Sequence, residues 1–183
     1  MKPLSRFPSE IKTPRLNLRV IMPTRKNAEM IFRLIQQNRD YLEAWQGHIE
    51  YLRNVNEVLQ NLEFRAKQIK DNAGILFGIY RDDDFIGRIR FFVVDDGVCE
   101  IGYWLIESEN KHGYMSEALS ALEKELFAFG FDKIILDTDA GNTRSENVAR
   151  RNGYRFEKRL PLASWAKCLG GKCDSLIFVK ERS

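Results

Sequence analysis

The chain has little that could hold a metal ion or build a disulfide framework. Its 183 residues include only three cysteines and two histidines. The cysteines Cys99, Cys168 and Cys173 form an odd set without the paired spacing of a zinc site, and we expect free thiols. The acidic triplet at 82–84 lacks the spaced oxygen ligands and the glycine of a calcium loop. We therefore predict no metal site.

The sequence also lacks a long apolar run and an excess of one charge. No segment approaches the length of a membrane span, and residues 1–5 do not resemble the core of a signal peptide. The 29 lysines and arginines stand against 26 acidic residues, a net charge of +3, far from the excess of a dedicated duplex-DNA binder. We expect a cytoplasmic protein that contacts neither membrane nor nucleic acid directly.

The length and composition of the chain suit one domain, residues 1–183, with a full-sized core. Residues 1–14 are irregular and basic, and we interpret them as a flexible N-terminal arm. Alternating or apolar segments predict strands, and apolar residues at helical spacing predict helices. The predicted strands cover 15–21, 75–81, 85–94, 98–106, 133–138, 154–163 and 174–180, and the predicted helices cover 25–37, 40–47, 54–71, 113–129 and 143–152.

The connections between these elements predict the architecture. The strand at 98–106, the helix at 113–129 and the strand at 133–138 form a crossover unit, so the two strands should lie parallel. The other strand connections predict antiparallel pairs. We expect an α+β fold with a mixed, mostly antiparallel sheet of about seven strands, a parallel central pair and flanking helices.

Two polar turns follow the predicted parallel strands and should lie side by side, where ligands of open α/β sheets bind. The turn at 110–115 carries Gly113 at a helix start, where unpaired backbone N–H groups can hold phosphate. The turn at 139–145 carries Asn142 and Ser145, an amide and a hydroxyl. Each residue also has a purely structural interpretation, as a tight turn, an N-cap or a first-turn residue. The two turns together favour a binding site.

Three segments resemble the GNAT superfamily of N-acetyltransferases. Residues 110–119, N-K-H-G-Y-M-S-E-A-L, are similar to its acetyl-CoA pyrophosphate loop, and residues 100–105, E-I-G-Y-W-L, resemble the strand before it. Residues 142–154, N-T-R-S-E-N-V-A-R-R-N-G-Y, resemble a segment of its ribosomal-protein branch, the RimJ/RimL type. Residues 115–116 and 148–152 are closest to the L7/L12 serine acetyltransferases. Asn110 and Met115 depart from the loop pattern, and an acidic residue often found in the branch is absent from 161–164.

The resemblance implies acetyl transfer from acetyl-CoA directly to an amine. By analogy Ser145 is the general acid for the leaving thiolate. Tyr154 is the rival acid, with a packing role favoured. Glu100 is a candidate base acting through water, and an outward strand carboxylate is the competing interpretation. The implied acetyl-CoA contacts are Tyr103, Trp104, Leu105, Asn110, Lys111, His112, Gly113, Tyr114, Met115, Ser116, Asn142, Asn147 and Arg150.

The acceptor is the least determined part of the prediction. Tyr41 and Trp45 are candidate walls of a substrate groove, although for Trp45 a core position is favoured. An α-amine is neutral at pH 7 far more often than a lysine, so a site without a strong base favours protein N-termini. The main hypothesis is acetylation of the N-terminus of a ribosomal or similar protein. The alternatives are a small amine (polyamine, aminoglycoside or aminoacyl nucleotide) and a non-catalytic acetyl-CoA-binding module. The branch's members are often dimers, which is compatible with a homodimer here.

Overall fold

The computed structural model describes residues 2–182 and has one mixed sheet with helices on both faces. The eight strands are β1 (Glu10–Lys12), β2 (Asn17–Val20), β3 (Gly74–Arg81), β4 (Asp84–Asp95), β5 (Val98–Leu105), β6 (Lys133–Asp139), β7 (Arg155–Ala166) and β8 (Gly171–Glu181). The α-helices are α1 (Arg25–Gln37), α2 (Arg39–Glu43), α3 (Val55–Lys70), α4 (Tyr114–Phe129) and α5 (Thr143–Arg151).

The strands lie in the order β1-β2-β3-β4-β5-β6-β8-β7. Among the described strands only β5 and β6 pair in parallel, and every other neighbouring pair is antiparallel. The predicted mixed sheet with a parallel central pair is therefore confirmed. The strand number is eight and not seven, because β1 pairs with β2 through Ile11 opposite Leu18.

The additional strand belongs to a segment that the sequence analysis interpreted as an irregular, flexible arm. That interpretation is wrong for the described residues 2–14. Leu4, Phe7 and Ile11 are all buried in the main apolar cluster, and the Phe7 ring lies 5.1 Å from the rings of Phe91 and Phe129. These partners are far away in the chain, so no local pattern could reveal that the segment packs.

Side-chain caps define the starts of two helices as predicted. The Thr24 hydroxyl accepts a hydrogen bond from the Asn27 N–H at 3.2 Å, and α1 follows it. Asn54 and Glu57 form a reciprocal capping box at the start of α3. The predicted helix at 40–47 is wrong in extent, because α2 ends at Glu43 and a 3-10 turn covers Gly47–Tyr51. The fully buried Ile49 anchors that turn in the core.

The two faces of the sheet carry separate apolar clusters. On one face α4 packs its buried residues against the odd-numbered positions of β4 and β5, such as Ile89 and Ile101. On the other face α1 and α3 cover positions such as Leu76 and Trp104. No helix within residues 2–182 is long and apolar enough to cross a bilayer.

Candidate active site

The two parallel strands separate after a short pairing, which opens the centre of the sheet. Their register runs from Val98 opposite Lys133 to Ile101 opposite Leu136. Beyond Ile101, β5 continues to Leu105 and still pairs with β4 on its other side. The backbone of residues 102–105 therefore faces an opening where the β6 partner would otherwise lie.

One backbone group at this opening already has a side-chain partner. The Gln46 amide donates to the Tyr103 carbonyl oxygen at 3.4 Å. Because the N–H and C=O of one strand residue point to the same side, the Tyr103 N–H also faces the opening. The opening thus offers a backbone donor of the kind that stabilises an oxyanion.

A cavity of about 270 Å³ occupies this opening and is lined from both faces of the sheet. Side chains alternate along a strand, so Glu100, Gly102 and Trp104 lie on one face, and Ile101, Tyr103 and Leu105 lie on the other. Residues of both sets line the cavity. The cavity therefore passes through the sheet, and side chains on the two faces can act on the same bound molecule.

Ten of the site residues predicted from the sequence line this cavity. They are Tyr41, Trp45, Glu100, Tyr103, Trp104, Leu105, Asn110, Met115, Asn142 and Ser145. The others lie outside its wall, five of them in the loop and first turn of α4 and two on α5. They are Lys111, His112, Gly113, Tyr114, Ser116, Asn147 and Arg150. Trp45 is half-buried on the cavity wall and belongs to neither apolar cluster.

The start of α4 has the backbone geometry of an anion site. Gly113 occupies the N-cap position with a φ of 79°, and within residues 2–182 no side chain caps the first turn. This left-handed conformation favours glycine. The loop is held from outside, because Arg15 donates to the His112 carbonyl oxygen at 3.0 Å and pairs with Glu117. The N–H groups of the first turn remain available for a ligand.

Tyr41 connects the two turns. Its hydroxyl oxygen accepts hydrogen bonds from the Asn110 amide at 3.0 Å and from the Arg144 guanidinium at 2.8 Å. The guanidinium carbon of Arg144 also lies 5.2 Å from the centre of the Tyr41 ring. A residue of α2 thus holds the 110–115 turn and the 139–145 turn together at one side of the cavity.

A hydroxyl pair lies on the α5 side of the cavity. The Ser145 Oγ and the Tyr103 Oη are 3.0 Å apart. Asn142 caps α5, accepting from the Ser145 N–H at 3.2 Å. Burial raises the pKa of Tyr103 to about 12, although the Ser145 hydrogen bond opposes this rise. The phenol therefore keeps its proton at neutral pH and can donate it to Ser145.

A carboxyl group lies on the opposite face. Burial, with the nearby Asp137 carboxylate adding to it, raises the pKa of Glu100 to about 7, and Arg90 acts in the opposite direction. A carboxylate with such a pKa can accept a proton near neutral pH. The sequence motifs pointed to Glu100, but only its burial makes it a suitable base.

Several residues on the cavity wall were missed in the sequence. Asp139 accepts a hydrogen bond from the Ser164 hydroxyl, and burial raises the pKa of Asp139 above its usual range. Arg88 and Arg90 line the cavity beside Trp104 and Gly102. Charged residues at alternate positions of a predicted strand, Arg88-Ile-Arg90, were the one signal that could have identified the arginines. Tyr154, the rival acid, is buried in the apolar cluster under α4 and does not line the cavity.

The chain is similar in sequence to a known protein family and to a curated relative. The sequence profile of the acetyltransferase (GNAT) domain matches residues 15–155. A curated relative, the ribosomal-protein-serine acetyltransferase of Escherichia coli strain K12, is 26% identical over 138 residues, which are 74% of this chain and 77% of that protein.

Two solved structures have the same fold. One is the RimL ribosomal L7/L12 α-N-protein acetyltransferase in complex with coenzyme A, with a TM-score of 0.87, 20% identity, and coverage of 94% of this chain and 97% of that one. The other is the microcin C7 self-immunity acetyltransferase MccE in complex with acetyl-CoA and AMP, with a TM-score of 0.87, 23% identity, and coverage of 96% and 97%.

These findings identify the class of protein. The through-sheet cavity between splayed parallel strands, beside an uncapped helix start, belongs to an acyltransferase fold. The chain is a member of the GNAT acetyltransferase family. The resemblance read from the 100–119 and 142–154 segments is confirmed, and the curated relative carries the ribosomal-protein name that those segments suggested.

Proposed function

We propose that this protein is an acetyl-CoA-dependent N-acetyltransferase that acts on the N-terminal α-amine of a ribosomal or similar protein. The observation that carries the proposal is the cavity through the sheet, with the Ser145–Tyr103 pair on one side and Glu100 on the other. The name of the Escherichia coli relative supports this class of acceptor.

The start of α4 fits the pyrophosphate of acetyl-CoA. Gly113 leaves room for a close approach, since a Cβ there would meet only the Arg15 guanidinium, at 3.6 Å. The first-turn N–H groups and the helix dipole favour negative charge. Acetyl-CoA supplies an activated thioester, and the β5 backbone at the opening, Tyr103 to Leu105, would hold the thioester oxygen.

The hydroxyl pair would serve the leaving group. When the acceptor nitrogen bonds to the acetyl carbon, the carbon–sulfur bond breaks and the sulfur takes a proton. Ser145 donates that proton to sulfur, and the proton that the attacking nitrogen loses on becoming an amide returns to the hydroxyl pair. Tyr103, which is protonated at neutral pH, holds the Ser145 hydroxyl oxygen at 3.0 Å. A well-placed general acid contributes about 10²–10⁴-fold to the rate.

Glu100 would serve the amine. With a pKa near 7, this carboxylate accepts the proton that the ammonium group must lose before or during attack. An α-amine with a pKa near 8 is neutral about one time in ten at pH 7, whereas a lysine near 10.4 is neutral about once in 2,500. A base of this modest strength suits an α-amine better than a lysine side chain.

A panel assay of coenzyme A release tests the proposal. The acceptors are peptides that begin with Ser, Ala or Met, their Nα-blocked counterparts that contain lysine, spermidine and an aminoglycoside. We expect turnover on the free peptides only, and loss of it in Ser145→Ala and Glu100→Gln. Turnover confined to spermidine or the aminoglycoside would contradict the protein acceptor. Acetyl-CoA binding without turnover on any amine would contradict an enzymatic role.

A further inference from the structure

Three arginines lie close together on the face of the sheet that carries Glu100, and none of them forms an ion pair with a carboxylate of residues 2–182. Arg88 and Arg90 come from β4 and Arg65 comes from α3. Within the described residues Arg88 contacts His48 Nε2, Arg90 lies over the Phe92 ring, and Arg65 donates to Gln68. No ion pair in residues 2–182 includes any of the three arginines.

Their surroundings compensate only part of their charge, and the carboxylate that contributes is Glu100, which acts on Arg90. Burial, followed by mutual repulsion, lowers the pKa of Arg88 to about 9, and burial with repulsion by Arg90 lowers that of Arg65 to about 10. Burial and the Arg88 charge lower the pKa of His48 to about 2, so the imidazole is neutral. Glu100 acts on Arg90 only as a neighbouring charge, without a direct contact. A buried guanidinium without a counter-ion is costly. A bound anion would offset that cost through charge-assisted hydrogen bonds.

Two of the arginines can be reached from the cavity. Arg88 is 5% exposed, and both it and Arg90 line the cavity wall. The indole N–H of Trp104, on the same wall and 5% exposed, has no hydrogen-bond partner among the described residues. The guanidinium carbon of Arg88 lies 5.5 Å from the centre of the Trp104 ring. These donors form a recess on the cavity wall in which no carboxylate of residues 2–182 pairs with them.

The recess lies beside the proposed base. Arg90 pairs in register with Gly102, and Glu100, two residues earlier on β5, points to the same face. Neighbouring strands are about 4.8 Å apart, so an amine at Glu100 and an anionic group at Arg90 are separated by roughly 5–8 Å. In a peptide, that spacing matches the side chain of the first or second residue.

We propose that Arg88 and Arg90 bind a carboxylate that the acceptor carries close to its amine, on the first or second residue of a peptide acceptor. The inference rests on the proposed function and adds a preference for an acidic N-terminus. Two guanidinium groups can bind a carboxylate through paired N–H donors. A neutral or basic side chain of the acceptor would not form these paired bonds. A phosphate shares this chemistry, and the experiment separates the two.

The test compares peptides that differ only at the second residue, which is Asp, Asn, Lys or phosphoserine, after an N-terminal Ser. A second set begins with Asp or Asn. Each is assayed with the wild type, Arg90→Gln, Arg90→Lys and the control Arg33→Gln, which changes an exposed arginine of α1. Circular dichroism confirms that each variant is folded. Arg90 is chosen because it is less deeply buried than Arg88, so its replacement is less disruptive.

We expect kcat/KM for at least one acidic peptide to exceed that of its amide counterpart at least tenfold, mainly through KM. Arg90→Gln should reduce this ratio to near one, Arg90→Lys should keep part of it, and Arg33→Gln should leave it unchanged. Equal rates on acidic and amide peptides would overturn the inference and leave the proposed function intact. A preference for phosphoserine over aspartate would overturn the assignment of the anion as a carboxylate.

A failure of the proposed function has a different signature. If no peptide is acetylated, aspartate amide and asparagine amide are compared as small acceptors. A preference for aspartate amide that Arg90→Gln removes would support the carboxylate site and contradict the peptide acceptor. Turnover on neither amide would overturn both.

Discussion

The hydroxyl oxygens of Tyr103 and Ser145 lie 3.0 Å apart although 42 positions separate them in the chain. Tyr103 comes from the splayed end of β5 and Ser145 from the first turn of α5. Because the two hydroxyl groups are within hydrogen-bond distance, the pair can act as one proton-donating unit. This relationship leads to the first prediction.

Ser145→Ala should lower kcat about 10²–10⁴-fold and leave acetyl-CoA affinity unchanged, because only proton donation is lost. The helix start should persist, since the backbone N–H of position 145 still donates to Asn142. Tyr103→Phe should give a smaller loss. Steady-state kinetics and isothermal titration calorimetry measure both quantities. Ser120→Ala, an exposed serine of α4, is the control, and an unchanged kcat in Ser145→Ala would contradict the acid role.

The titration of Glu100 should produce an acidic limb in the pH profile of kcat/KM. Because the carboxylate must be unprotonated to accept a proton and its pKa is about 7, kcat/KM should fall as the pH drops below about 7. Glu100→Gln should be slower and should lack this limb. The α-amine of the peptide titrates in both proteins, so the difference between the two profiles isolates Glu100. Parallel profiles would exclude Glu100 as the base.

The raised pKa of Glu100 should also make the free energy of unfolding depend on pH. A carboxyl pKa raised on folding means that the folded state binds the proton more tightly between about pH 4.5 and 7. The free energy of unfolding should therefore decrease as the pH rises through that range, and Glu100→Gln should show a smaller decrease. Urea unfolding at pH 5 and pH 8 measures the effect. An identical pH dependence in both proteins would contradict the raised pKa.

Gly113→Ala should weaken acetyl-CoA binding. A left-handed conformation costs a non-glycine residue about 1–2 kcal/mol, and relief of that strain would rotate the first-turn N–H groups of α4. We expect the dissociation constant to rise about tenfold, measured by calorimetry. Gly153→Ala is the matched control, because its φ of 78° carries similar strain and nothing lies within 4 Å of its Cβ position. Equal affinities in the two variants would argue against an anion site at α4.

Phe7→Ala should destabilise the protein by about 3–5 kcal/mol, because Phe7 is 6% exposed and packs against three other aromatic rings. Urea unfolding monitored by circular dichroism measures the loss. Arg6→Ala, next to it and exposed, should change the free energy of unfolding by less than about 0.5 kcal/mol. A negligible effect of Phe7→Ala would restore the interpretation of this segment as a flexible arm.

The features predicted well are those with a local signal. The Thr24 and Asn54 caps mark the starts of their helices through residues within three positions. The alternating and apolar strand patterns, with a helix between 98–106 and 133–138, predict the parallel pair. The Gly113 and Ser145 turns are recognisable because their motifs lie within a few residues.

The features that were missed arise from contacts between distant segments. Ile11 forms a strand only because Leu18 and the apolar cluster cover it. Asp139 and Ser164 are 25 positions apart and meet because β7 joins the sheet beside β8, which pairs with β6. Arg88 approaches His48 across 40 positions. No periodic pattern in the sequence predicts these long-range contacts.

The amino-acid sequence by itself determined the sheet's mixed character, the main helices and the positions of the two turns at 110–115 and 139–145, because caps, turns and periodicity act over a few residues. Only the tertiary structure decided which groups can exchange protons or bind charge. The pKa of Glu100 depends on its burial beside Asp137 and Arg90. Arg65, Arg88 and Arg90 come close together, without an ion pair to any described residue, because of how α3 and β4 pack. Burial and long-range electrostatics are properties of the folded chain, and no short segment contains them.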